Sequence, residues 1–339
     1  LGIDDLIETK SRERRKAPRP TGALSGKRTG SRRSLALGLA AINRWLDKMP
    51  LTHWLHRRIR NRLEMPDLTM PLRPANESLS GLRIAFVSDV HAGSFLDEAD
   101  LTEICLRVQA QEPDLVLFGG DMINTRDREI LLFRRALAVL KPRYGMFAVP
   151  GNHDHFFGPD ISLWQGFLED NGVQVLMNRG VRIEHGGQSL WLCGVDDLTE
   201  GDPDLDAALD GRREGETSIL LSHHPDFFCE AVDANVDLQL SGHTHGGQIR
   251  IGGKAPLHHS KLGYEQGWFI EGESRLYVGR GVGVTVLPIR IGAPPEVPMI
   301  TLRSLVERTE TKALVQEQEL TVDQVDSLIE TVQRTSEPV

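Results

Sequence analysis

The chain has 339 residues, 40% hydrophobic and 26% charged, with a formal net charge of −9. This is ordinary globular composition, long enough for a substantial core, and its three cysteines exclude a disulfide framework or a thiolate zinc site. Residues 1–80 hold 17 Lys and Arg against 8 Asp and Glu, and the remainder 22 against 40, so the acidic body is a poor nucleic-acid surface.

The basic head divides in two. Residues 10–33, rich in Arg, Lys, Gly, Ser and Pro, read as flexible chain. Residues 35–63 place Leu35, Leu37, Leu39, Ile42, Trp45, Leu46, Leu51, Trp54, Leu55 and Ile59 beside Arg57, Arg58, Arg60 and Arg62. The uninterrupted apolar run Leu35–Ile42 falls far short of the roughly 20 residues that span a bilayer. The pattern instead predicts a helix lying on an anionic membrane surface, with a helix packed on the following domain as the alternative. Ser31-Arg32-Arg33-Ser34-Leu35-Ala36-Leu37 also resembles a twin-arginine export signal, although Arg44 cuts its hydrophobic region short.

From Leu82 onward the chain alternates strand-like and helix-like stretches. Leu82–Ser88 runs into Asp89-Val90-His91, Leu115–Phe118 into Gly119-Gly120-Asp121, and Tyr144–Pro150 into Gly151-Asn152-His153-Asp154. Helical periodicity fills 97–110, 128–140, 160–170 and 225–234. After Gly172 come strands at Val173–Leu176, Val181–Glu184 and Ser189–Val195. Ser218–Ser222 then runs into His223-His224-Pro225, and Val236–Leu240 into Ser241-Gly242-His243-Thr244-His245-Gly246-Gly247-Gln248, with further strands at Tyr277–Gly279 and Met299–Leu302. This order predicts an α/β fold of two packed mixed β-sheets flanked by helices.

Each polar cluster stands just past a buried strand, and open α/β sheets gather ligands outside the carboxyl ends of their strands. Side chains at i and i+2 of an extended chain share a face, so His243 and His245 are expected to converge. The same alternation turns His224 away from His223. Gly252–Gly272, with His258, His259, Lys261, Tyr264 and Trp268, is expected to rim the crevice. Cys105, Cys193 and Cys229 read as packing residues.

The blocks Asp-x-His, Gly-Asp, Gly-Asn-His-Asp, His and Gly-His-x-His, in this order, resemble the calcineurin-like metallophosphoesterase family across residues 81–303. With Tyr277–Gly283 and Gly292–Glu296, His-Thr-His-Gly-Gly-Gln resembles the membrane-associated bacterial subgroup that includes UDP-2,3-diacylglucosamine hydrolases of lipid A synthesis. The donors comprise two carboxylates, one amide and four imidazoles, a set suited to Mn, Fe, Zn or Co.

The resemblance implies two divalent metal ions (Mn, Fe, Zn, Co or Mg). Asp89, His91, Asp121 and His245 would hold one ion and Asp121, Asn152, His223 and His243 the other, with Asp121 bridging. Such a pair, about 3.5–4 Å apart, clamps a phosphoryl group. His153 would protonate the leaving group and Asp154 would orient its imidazole. The implied substrate is a lipid-linked or nucleotide phosphodiester or pyrophosphate, most sharply UDP-2,3-diacylglucosamine. A general phosphodiesterase and a non-catalytic metal-binding scaffold are the alternatives. The expected organisation is a basic, membrane-surface segment at 1–80, a catalytic domain at 81–303 and an acidic tail at 304–339. The expected place is peripheral on the cytoplasmic face of the inner membrane, with export the alternative.

Overall fold

The computed structural model describes residues 49–155, 160–256, 258–285 and 287–304, together with Gly38 and Leu46. The flexible stretch 10–33, the twin-arginine motif, most of the apolar run at 35–42 and the tail beyond Ser304 lie outside the described residues.

Two six-stranded mixed sheets form the body. The first runs β1 (Asp67–Leu72), β12 (Met299–Ser304), β2 (Arg83–Val87), β3 (Leu115–Phe118), β4 (Met146–Ala148), β5 (Val173–Val175). The second runs β10 (Gly267–Glu271), β11 (Ser274–Val278), β9 (Leu238–Ser241), β8 (Thr217–Leu221), β7 (Gln188–Gly194), β6 (Arg179–His185). Strands β2 to β5 are mutually parallel, as are β7, β8, β9 and β11. Parallel strands are covered on both faces and read as unbroken apolar runs, as Leu-Val-Leu-Phe of β3 does.

The pleat of β2 sends successive residues to different cores. Ile84 and Phe86 meet Leu117, Leu192, Ile219, Leu221 and Leu240 between the sheets. Ala85 and Val87 face outward, toward the core that covers the first sheet with α2 (Glu98–Gln109), α3 (Arg134–Val139) and α4 (Ser162–Asp170) through Ile104, Leu137 and Trp164. The second sheet is covered by α5 (Leu205–Leu209) and α6 (Phe228–Asp233), whose Ala208, Phe228 and Ala231 pack on Cys193 and Leu220. The result is a helix, sheet, sheet, helix sandwich, held by side chains each worth about 1.5–3 kcal/mol when fully buried.

The boundary expected at residue 81 falls inside this domain, because β1 pairs in parallel with β12 from Asp67 to Leu72. Pro71 weakens the strand pattern there; the sheet tolerates it because β1 is an edge strand. The far end of Gly252–Gly272 is also no loop: Gly267–Glu271 is β10, and the ring of Trp268 lies 5.0 Å from that of Tyr277.

Helix α1 (Pro50–Arg60) precedes the first sheet. Its last turn is tied to the body by Arg60, which pairs with Asp100 and Glu103 of α2. Trp54, Arg57 and Arg58 face solvent, with the Arg58 guanidinium 4.0 Å above the Trp54 ring. Among the described residues, no helix is long and apolar enough to cross a membrane.

Candidate metal centre

The ends of β2, β3 and β4 in one sheet and of β8 and β9 in the other open onto one crevice, and the chosen polar residues follow these strands directly. They do not ride on the strands. Asp89 (φ 50°), His91 (φ 50°), Asp121 (φ 52°), His243 (φ 69°) and His245 (φ 52°) all adopt the left-handed region. That conformation costs a non-glycine residue about 1 kcal/mol or more. His243 and His245 therefore reach the crevice by a strained turn, not by strand alternation. Close glycines make room for the carboxylates: a Cβ at Gly242 would stand 2.1 Å from Asp89 Oδ2, and one at Gly151 2.3 Å from Asp121 Oδ1.

Asp89, His91 and His245 bring one donor atom each within 4.8 Å of one another, as do Asp89, Asp121 and His223, and also His91, Asp121 and His153. Nε2 of His91 faces Nε2 of His245 at 3.0 Å, and the latter lies 3.5 Å from Asp89 Oδ1. Asp121 Oδ2 stands between two rings, 3.3 Å from His223 Nε2 and 3.6 Å from His91 Nε2. On the His223 side, His243 Nδ1 meets Asn152 Oδ1 at 2.9 Å. His223 donates from Nδ1 to the Gly119 carbonyl at 2.8 Å, which aims its Nε2 at Asp121.

Among the described residues, two buried polar atoms of this cluster, Asp89 Oδ2 and His223 Nε2, make no well-formed hydrogen bond. Each such atom costs about 1–3 kcal/mol unless another group takes it. With the mixed oxygen and imidazole donors, these orphans fit a pair of divalent cations.

Electrostatics agree with that use. Burial pushes the Asp89 carboxyl up to about 6, against the pull of His223. Burial also raises Asp121, but His223, His153 and His91 outweigh it and hold its carboxyl well below the usual range. Burial lowers His223, yet Asp121 and Asp89 carry it well above an ordinary histidine. Burial and neighbouring histidines or Arg290 hold His91, His243 and His245 well below theirs, which keeps those rings neutral.

His153 donates from Nδ1 to the Asn124 carbonyl at 2.6 Å, and its ring edge meets His91 at 4.5 Å between centroids. The carbonyl can only accept, so Nε2 is the nitrogen that exchanges a proton. Asp154 is engaged by backbone amides. Its carboxylate accepts from the amides of Gly151 (2.8 Å), Met122 (3.1 Å) and Ile123 (3.2 Å), and so ties the loop after β4 to the loop after β3. Burial, then Asp121, pushes Asp154 up to about 7.

His224 also departs from expectation. β8 stops at Leu221, so strand alternation no longer applies, and the His224 ring lies 4.2 Å from that of His243. Of the expected rim, His259 stands 6.4 Å from His243 between ring centroids. Tyr264 instead turns into the core under the second sheet, and its hydroxyl donates to Glu271.

Sequence reasoning missed Arg290. It is a buried guanidinium that donates to the carbonyls of Gly283 (2.8 Å) and Ala293 (3.2 Å) and to His245 Nδ1 (3.1 Å). Its only signal was a cation set between isoleucines, in Ile289-Arg290-Ile291.

The calcineurin-like phosphoesterase family profile matches residues 82–247. The uncharacterized metallophosphoesterase YkuE of Bacillus subtilis is 34% identical over 233 residues, 66% of this chain and 80% of that protein. A Danio rerio transmembrane protein with metallophosphoesterase domain is 30% identical over 255 residues, 70% of this chain and 56% of that protein. A solved dimetal phosphatase, also from Danio rerio, aligns with 66% of this chain and 99% of its own at 13% identity and a TM-score of 0.41. The chain belongs to the calcineurin-like metallophosphoesterase family, and its His and Asp clusters are of the kind that could hold a pair of metal ions. The relatives' names stop at metallophosphoesterase, so they support the family and leave the UDP-diacylglucosamine subgroup without support.

Proposed function

We propose that this protein is a two-metal phosphoesterase that hydrolyses a phosphodiester or pyrophosphate bond of a membrane-associated substrate. The observation that carries the reading is Asp121, set between His91 and His223 at the centre of a buried donor cluster with orphaned atoms. Asp89, His91, Asp121 and His245 would hold one ion, and Asp121, Asn152, His223 and His243 the other. Such ions polarise a phosphoryl group and lower the pKa of water.

The chain's own part is proton delivery and order. His153, anchored through Nδ1 on the Asn124 carbonyl, gives its Nε2 proton to the leaving oxygen and stays a neutral ring on the same anchor. Asp154 fixes the two loops that carry Asp121 and Asn152. A non-catalytic scaffold would not need His153 held in this way.

We place the protein peripherally on the cytoplasmic face of the inner membrane, with export by the twin-arginine motif as the competing location. Exposed Trp54, Arg57 and Arg58 of α1 support a membrane-surface role. The substrate reading is tested with purified protein against lipid and nucleotide phosphodiesters, with Mn, Mg, Zn and Co supplied in turn. Metal-dependent hydrolysis is expected. Release of UMP and lipid monophosphate from UDP-2,3-diacylglucosamine would establish that substrate, and turnover of small aryl phosphodiesters alone would overturn it. Metal binding without turnover of any ester would favour the scaffold.

A further inference from the structure

Two segments beside His245 carry apolar side chains into solvent. The first continues from the ligand through Gly246 and holds Ile251, 73% exposed; the second leads into and past Arg290 and holds Leu287, 43% exposed, and Ile291, 51% exposed. They are braced together. Arg250 donates its amide to the Ile291 carbonyl at 2.7 Å, and Ile291 donates its own to Gln248 at 3.0 Å. The Gln248 side chain donates to the carbonyls of Thr285 and Leu287, both at 3.0 Å, and accepts from the Thr285 amide. The lip is thus a built element that projects isoleucine and leucine outward, and Arg290 fixes its base against His245.

The first segment also carries cations although the whole chain is at −9. Lys254 is exposed in the first segment, and Arg250 is held at the carbonyls of Gly246 and Gly253. A chain of contacts also ties the lip to the segment after α1. Gly246 packs on the Arg280 side chain, and Arg280 pairs at 2.6 Å with Glu64, four residues beyond that helix. The lip beside the metal centre therefore presents Ile251, Leu287 and Ile291 with Arg250 and Lys254 in the first of its segments. Apolar side chains projecting among cations match the boundary between acyl chains and anionic headgroups.

We infer that the lip formed by Ile251, Leu287 and Ile291 docks on an anionic bilayer and presents lipid phosphoester headgroups to the adjacent metal centre. This rests on the membrane-associated phosphoesterase reading above and adds the surface through which the substrate arrives. The test separates docking from chemistry by reading vesicle binding without turnover. Full-length Ile251→Cys, labelled with an environment-sensitive dye, is mixed with phosphatidylglycerol/phosphatidylcholine vesicles or with phosphatidylcholine alone. A blue shift confined to the anionic vesicles is expected. The variant Ile251→Glu/Leu287→Glu/Ile291→Glu should partition about tenfold or more weakly. Its hydrolysis of a soluble aryl phosphodiester should match wild type, showing that the fold is kept. An unchanged dye spectrum, an equal shift on neutral vesicles, or undiminished partitioning of the triple variant would overturn the inference. Vesicle docking without hydrolysis of any ester would leave the lip standing and remove the enzymatic reading.

Discussion

Arg290 donates from Nη2 to Nδ1 of His245 at 3.1 Å, so a buried cation backs one imidazole of the metal centre. Metal-binding histidines more often donate their outer N–H to a carbonyl or carboxylate. Here the outer nitrogen accepts, so the neutral ring carries its proton on Nε2, which is pinned toward His91 and Asp89. Burial pushes the guanidinium only down to about 10, so it stays charged at neutral pH.

Arg290→Met should therefore disturb two things at once. It leaves the carbonyls of Gly283 and Ala293 without their donor, a loss of about 2 kcal/mol or more, and it releases the His245 ring. Denaturant unfolding and elemental analysis should show a lower midpoint and a reduced metal content. Full loading with an unchanged midpoint would show that Arg290 plays no part in the centre.

His243 and His245 are two residues apart in sequence but belong to different groups of donors. His243 contacts Asn152 and His224, whereas His245 contacts His91. Alanine at either position should weaken one ion and spare the other, so each variant should bind close to one ion per chain. Distinct occupancies should appear in anomalous scattering at the two positions. Loss of both ions from both variants would mean that the histidines act on a single shared ion.

Proton competition gives the pH dependence of metal uptake a definite sign. Asp89 is raised to about 6, and His223 titrates well above the ordinary histidine range, so both carry protons in moderately acidic solution. A cation must displace those protons, whereas the neutral rings of His91 and His243 carry no second proton to give up. Affinity should rise from pH 5 to pH 8, by up to about tenfold per pH unit for each proton displaced. Titration of the metal-free protein against a chromophoric chelator reads this directly; a flat or falling profile would contradict the assignment of Asp89 and His223 as donors.

How much of this was legible depended on whether local pattern or tertiary contact decided the outcome. The parallel strands announced themselves because burial on both faces makes them apolar throughout, and β3 occupies the four residues expected of it, Leu115–Phe118. β1 was hidden by Pro71 and by its place at the sheet edge, where no unbroken apolar run is needed. The donor residues were visible as types in order, but their left-handed conformations were not, because only the packing around the strand ends imposes them. Arg290 and the Asn124 carbonyl were out of reach for a similar reason. One acts from 45 positions beyond His245, and the other through a backbone oxygen that every residue possesses.

His153 separates an enzyme from a metal-binding scaffold. Its ring is held at Nδ1 by Asn124 and touches the His91 edge, while its amide donates to Asp121 Oδ1 at 2.7 Å. That amide contact belongs to the backbone and survives removal of the side chain. His153→Ala should therefore keep its metal and lower turnover by about 10² to 10⁴-fold, the usual contribution of a positioned acid. The loss should be largest for esters with poor leaving groups and smallest for aryl esters whose oxygen departs without a proton. A uniform loss across both kinds of ester, accompanied by loss of metal, would assign His153 to the ligand set instead. Asp154→Asn provides the contrasting case. The replaced carboxylate serves the amides of Gly151, Met122 and Ile123, so this change should lower the unfolding midpoint while leaving the ratio between poor and good leaving groups as it is in wild type.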